Sequence, residues 1–127
     1  KFWPGPLTLI FKKKKVIPPE VTARGPTVAV RISPHPVALA LVRGARAPIT
    51  APSANLAGRP SQRTARGVIN ELGNKKEINL ILNGGKTPLG TPSTLLDLTK
   101  NPPEILRQGS ITRKQLEKAV PNLFRVK

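Results

Sequence analysis

Residues 27–43, Thr27-Val28-Ala29-Val30-Arg31-Ile32-Ser33-Pro34-His35-Pro36-Val37-Ala38-Leu39-Ala40-Leu41-Val42-Arg43, read as a strand feeding directly into a helix. The β-branched and apolar run Thr27–Ile32 favours extended backbone. Proline at 34 and 36 ends that run and suits the first turn of a helix, where a missing N–H is not needed. Val37 to Arg43 then carries the helix. Upstream, Leu7-Thr8-Leu9-Ile10-Phe11 follows the turn Trp3-Pro4-Gly5-Pro6 and reads as a strand that stops where four lysines begin, and Pro18-Pro19 forces a loop.

Downstream, Pro48-Ile49-Thr50-Ala51 reads as a brief strand entering the small polar stretch Pro52-Ser53-Ala54-Asn55, the residue types of a strand-to-loop junction that faces a ligand. A helix is expected over Ser61–Leu72, with a serine near its start and Gly73 at its end. Ile78–Leu82 reads as a further strand. Ser93–Leu98 and Ile105-Leu106 read as two more, separated by Pro102-Pro103. Thr112-Arg113-Lys114-Gln115 has capping-box spacing and opens a last helix through Ala119. Strands alternating with helices predict an α/β domain, and several connections too short for a helical crossover predict a mixed sheet. The length, 127 residues, fits one domain over 1–127.

Only four residues are aromatic, so the core must come from Val, Ile, Leu and Ala. The absence of cysteine excludes a disulfide framework, a thiolate metal site and a cysteine nucleophile. No apolar run approaches the length of about 20 residues that a membrane span needs, and no cleavable signal pattern is present, so a cytoplasmic protein without a membrane partner is expected. Twenty-two Lys and Arg against six Asp and Glu give a formal charge of +16, whose field attracts polyanions such as ATP or RNA.

Some apparent motifs dissolve on inspection. Gly84-Gly85-Lys86-Thr87 resembles the end of a P-loop, but Leu80 stands where that motif needs its first glycine, which excludes a Walker-type NTPase. His35 is the single histidine, wedged between prolines, and reads as a packing residue at a helix start. Asp97, inside an apolar run, reads as a structural carboxylate bonded to neighbouring backbone or to a basic partner.

The ordered set Trp3-Pro4-Gly5-Pro6-Leu7-Thr8, Thr27-Val28-Ala29-Val30-Arg31, Ala51-Pro52-Ser53-Ala54-Asn55-Leu56-Ala57-Gly58, Pro92-Ser93-Thr94-Leu95-Leu96-Asp97 and Leu106-Arg107-Gln108-Gly109-Ser110-Ile111 is similar to the YrdC family in wording and spacing, over nearly the whole chain. That resemblance implies a twisted mixed α/β sheet with flanking helices and a basic concave cavity. It implies an L-threonylcarbamoyladenylate synthase, which joins L-threonine, bicarbonate and ATP, with Mg2+ accompanying the nucleotide, and releases pyrophosphate. A transferase complex then carries the threonylcarbamoyl group to tRNA.

Carried over by motif, nucleotide contacts fall on Thr27, Ser53, Asn55, Ser61 and Arg107, and threonine contacts on Arg31, Ala51 and Ser93. No residue is assigned as a catalytic acid, base or nucleophile, and no metal ligand is assigned. Attack on the α-phosphorus needs chiefly positioning and charge stabilisation, a task suited to the planar guanidinium fork. The family pattern also has a Lys-x-Arg segment ahead of Trp-Pro-Gly-Pro and, in longer members, a further C-terminal domain. Neither lies in these 127 residues, so weak or absent synthase activity and exposed apolar surface are expected of the chain alone. Arg63 replaces a threonine, and Leu95-Leu96 replaces a β-branched pair. The charge keeps open a non-catalytic module that binds tRNA or double-stranded RNA, and an inactive remnant of the family.

Overall fold

The structure, a computed structural model, describes residues 1–87 and 92–126. The chain's contacts divide it into two compact units, residues 1–47 with 91–127, and residues 48–90.

In the first unit, strands β1 (Leu7–Lys12), β2 (Thr27–Val30), β3 (Thr94–Asp97) and β4 (Glu104–Arg107) form one sheet in the order β2-β1-β3-β4. β1 pairs antiparallel with β2 and parallel with β3, and β3 pairs antiparallel with β4, so the sheet is mixed as expected. A single 3-10 turn, Pro19–Thr22, shapes the β1–β2 connection. Helix α1 (Pro36–Ala45) begins with proline in its first turn, and His35 sits at its N-cap position, exposed rather than packed. Helix α3 (Arg113–Ala119) opens with the predicted capping box: the Thr112 hydroxyl accepts from the Gln115 N–H, and Gln115 Oε1 accepts from the Thr112 N–H.

Period-two alternation splits the sheet into two chemically different faces. Leu7 and Leu9 on β1, with Leu96 on β3, turn to one side and pack with Ile111 and with Leu116 of α3. Trp3, Ile105, Leu123 and Phe124 extend that core, and the Trp3 indole N–H donates to the Leu7 carbonyl at 2.7 Å. Thr94 lies on the core side with 0% exposure, and its hydroxyl is fully used: it donates to the Ile111 carbonyl (2.6 Å) and accepts from the N–H groups of Gly109 and Ile111 (both 3.0 Å). Segment 109–111 is thereby fastened to β3. Gly109 lies so close that a Cβ there would run into the Pro92 carbonyl oxygen and the Thr94 nitrogen.

The second unit contains α2 (Ala65–Leu72) and irregular backbone. Two expectations fail here. Residues 48–51 and 78–82 are not strands, because a strand needs a hydrogen-bonded neighbour and no described residue pairs with either segment. Helix α2 also starts later than Ser61. Thr64 is its N-cap, its hydroxyl accepting from the Gly67 N–H at 3.1 Å, while Ser61 bonds elsewhere. Neither α1 nor α2 has a buried residue, and Val37, Leu41, Val42 and Ile69 are exposed, in keeping with the expected apolar surface. No helix among the described residues is long and apolar enough to cross a membrane.

Candidate functional site

The face of the sheet opposite the leucine core gathers polar side chains from all four strands. Thr8 on β1 and Ser93 just before β3 share a hydrogen bond of 2.8 Å. Arg107, the last residue of β4, donates from Nε to the Ser93 carbonyl and from Nη2 to the Ser93 hydroxyl, each at 3.1 Å. Two of its five N–H donors thus hold the guanidinium plane, and three remain to meet an anion. The exposed Arg107 has no carboxylate partner, since the one ion pair among the described residues joins Arg113 to Glu117.

A register irregularity makes this possible. Leu96 pairs with Ile105 but Leu95 pairs with Arg107, so Leu106 is an extra residue in β4. Strict alternation would put Ile105 and Arg107 on the same face. The bulge lets Ile105 join the core while Arg107 turns to the polar side.

On β2, Thr27 pairs with Lys12 and Ala29 with Ile10. Arg31 follows directly after β2, whose last paired residue is Val30, opposite Leu9. Thr27 is half-buried and Arg31 exposed, and Arg31 makes no side-chain hydrogen bond or ion pair among the described residues. Three of the expected contact residues therefore gather on one sheet face, Thr27 by its register with Lys12 and Ser93 and Arg107 by their hydrogen bonds, while Arg31 lies one residue beyond β2. Asp97 also alternates to this side but is closed off: it is 6% exposed, and its Oδ1 accepts from the Thr99 hydroxyl (2.6 Å) and N–H (2.8 Å). Those bonds, the hydroxyl's first, hold its pKa below the usual carboxylate value, which fits the structural role expected of it.

In the second unit, Ser53 and Ala51 are exposed on irregular backbone. The Ser61 hydroxyl donates to Asn55 Oδ1 at 3.0 Å, and Asn55 Nδ2 donates to the Leu56 carbonyl at 2.9 Å. The hydroxyl expected at a helix start instead orients the amide of the Ser53-Ala54-Asn55 turn. Arg63 is consumed structurally: its Nε and Nη2 donate to the Thr87 carbonyl at 3.0 and 2.7 Å.

Sequence reasoning missed Thr8 as a site residue. The signal was present, because Leu7 and Leu9 facing the core forces Thr8 to the other side. It also missed Glu71, whose Oε1 accepts the Leu56 N–H at 2.8 Å from 15 positions away, a signal that is tertiary. Among the described residues no cluster of three or more His, Cys, Asp and Glu could hold a metal ion.

The Sua5/YciO/YrdC family model, described as telomere recombination, matches residues 1–109. The chain is 43% identical over 120 residues to a threonylcarbamoyl-AMP synthase of Pyrococcus abyssi, covering 94% of this chain and 35% of that protein. It is 46% identical over 121 residues to the enzyme of the same name from Bacillus subtilis, covering 94% and 34%. Among solved structures, Pyrococcus abyssi Sua5 complexed with L-threonine superposes with a TM-score of 0.83 at 42% identity, over 94% of this chain and 35% of that one. Escherichia coli YciO matches with a TM-score of 0.69 at 28% identity, over 84% and 52%. The chain thus spans about a third of the length of these two synthases.

Proposed function

Because the chain belongs to the Sua5/YciO/YrdC family, we propose that it carries part of the substrate-binding surface of a threonylcarbamoyl-AMP synthase, as one YrdC-like domain over 1–127. The reaction joins L-threonine, bicarbonate and ATP into threonylcarbamoyl-adenylate, with pyrophosphate leaving, in the service of tRNA modification. The observation that supports this reading is the polar sheet face, where Ser93 holds Arg107 with no carboxylate among the described residues to neutralise it and shares a hydrogen bond with Thr8.

A fixed, unpaired guanidinium recognises a carboxylate or a phosphate by two parallel bonds and stays charged throughout. On this reading Arg31 takes the threonine carboxylate, with Ser93 and Ala51 as further threonine contacts. Arg107 takes the phosphate side, and Thr27, Ser53, Asn55 and Ser61 contact the nucleotide. Their task is to bring two anions together and spread the charge that develops on phosphate oxygens. Arg107 cannot do this as lysine, because an ammonium keeps no fixed plane against Ser93.

Calorimetric titration with ATP and with L-threonine, separately and together, tests the reading. Arg31→Ala is expected to weaken threonine binding, and Arg107→Ala and Arg107→Lys to weaken ATP binding, by about tenfold or more for the loss of a charge-assisted contact. Unchanged threonine affinity in Arg31→Ala sinks that assignment, and no heat with either ligand sinks the reading as a whole.

The charge supports a second reading, contact with tRNA or double-stranded RNA in the cytoplasm, because 22 basic residues face six acidic ones and a single ion pair forms among the described residues. RNA affinity that falls steeply with salt, with no response to ATP or threonine, favours it over synthase chemistry.

A further inference from the structure

The Ser53-Ala54-Asn55 turn has no strand or helix to hold it, yet its exit is clamped from α2. Glu71, in the last turn of that helix, accepts the Leu56 N–H through Oε1 at 2.8 Å and the Gln62 side-chain amide through Oε2. The Leu56 carbonyl in turn accepts from the Arg59 N–H at 3.0 Å and from Asn55 Nδ2 at 2.9 Å. Both polar groups of the Leu56 backbone are therefore tied down, and one of the two ties on its carbonyl is the side chain of Asn55 itself. Gly67 contributes room, since a Cβ there would press on the Gln62 amide oxygen where it lies over the first turn of α2.

We propose that Glu71 is a positioning residue: its carboxylate holds Leu56 and Gln62 so that the Asn55 amide is presented at a fixed angle. The inference rests on Asn55 contacting the nucleotide. Asn55 spends Oδ1 on Ser61 and one N–H on Leu56, which leaves one N–H and one lone pair for a ligand. Those two remaining sites have a defined direction only while Leu56 stays in place. A carboxylate suits the clamp better than a neutral acceptor because it accepts at both oxygens at once, and bonds to an ionised acceptor are shorter and stronger. The Leu56 N–H is also the chief cause of a Glu71 pKa lying below its ordinary value, aided by Gln62 and by the nearby charge of Arg59. Sequence spacing hides the link, because Leu56 and Glu71 lie 15 positions apart.

Two measurements on the full chain test the clamp, with Glu71→Ala, Glu71→Gln and Asn55→Ala compared with the parent. Amide hydrogen exchange at Leu56 reads the clamp without any ligand, and calorimetry with ATP reads its consequence. Glu71→Ala is expected to speed exchange at Leu56 while the N–H groups inside α2 keep their protection, and to weaken ATP binding by about tenfold. Glu71→Gln keeps an acceptor for Leu56, and Gln62 can reverse its amide to meet the new NH2, so it is expected to recover most of both losses.

Unchanged Leu56 exchange in Glu71→Ala overturns the proposal. So does unchanged ATP affinity in Glu71→Ala when Asn55→Ala lowers it. If neither Asn55→Ala nor Glu71→Ala alters ATP binding, the nucleotide assignment of the turn is what fails, and the exchange result alone then decides the clamp.

Discussion

Replacing Thr94 by valine isolates the hydrogen bonds that fasten segment 109–111 to the sheet. Valine matches threonine in shape and raises apolarity, so an argument from burial alone predicts a neutral or stabilising change at a position with 0% exposure. The structure predicts the opposite. The Thr94 hydroxyl donates to the Ile111 carbonyl and accepts from the N–H groups of Gly109 and Ile111, and valine leaves all three without this partner. Each bond contributes about 0.5–1.5 kcal/mol net, and each buried group left unpaired costs about 1–3 kcal/mol. Gly109 is only half-buried and can recruit water, so the total is expected near 3 kcal/mol. Thr94→Ser keeps the hydroxyl and loses one methyl group, a cost of about 1 kcal/mol. Urea unfolding followed by the emission of Trp3, the single tryptophan, reads this unit directly, because Trp3 packs on the same core. The valine variant should lose at least twice as much stability as the serine variant. Equal stability, or a more stable valine variant, would refute the hydrogen-bond accounting.

Gly109→Ala should destabilise by about 1–3 kcal/mol in the same assay, since its Cβ meets fixed backbone atoms of Pro92 and Thr94 that no side-chain rotation can clear. Thr112→Ala should cost about 1 kcal/mol through loss of the capping box on α3, with Thr112→Ser close to the parent; equal melting temperatures for all three chains would show the cap to be idle. Asp97 has a folded pKa depressed below its ordinary 3.8. Its contribution is therefore complete above that value and is lost as pH falls through the folded pKa. Urea midpoints of the parent should drop more steeply below pH 4 than those of Asp97→Asn, and parallel profiles would remove Asp97 from the acid response.

Short-range signals in the sequence located most elements of the first unit. Short apolar and β-branched runs marked β1 and β2, the prolines at 34 and 36 marked the entry to α1, and Thr112 with Gln115 marked the start of α3; each depends on residues within about one turn or one strand. The motif strings also pointed to the family, to Arg31 just past β2, and to Thr27, Ser93 and Arg107, which register and hydrogen bonds gather on one face. Pairing is a different matter. Residues 48–51 and 78–82 have strand-like composition and no hydrogen-bonded neighbour among the described residues, and composition cannot report whether a partner exists. Strict alternation assigns Arg107 to the core side with Ile105, and only the extra residue in β4, a property of its register with β3, turns the guanidinium toward Ser93. Local periodicity is set by a residue's own backbone. The face on which a side chain emerges, and the carboxylate that steadies a loop from 15 positions away, are decided by which distant backbone it is bonded to.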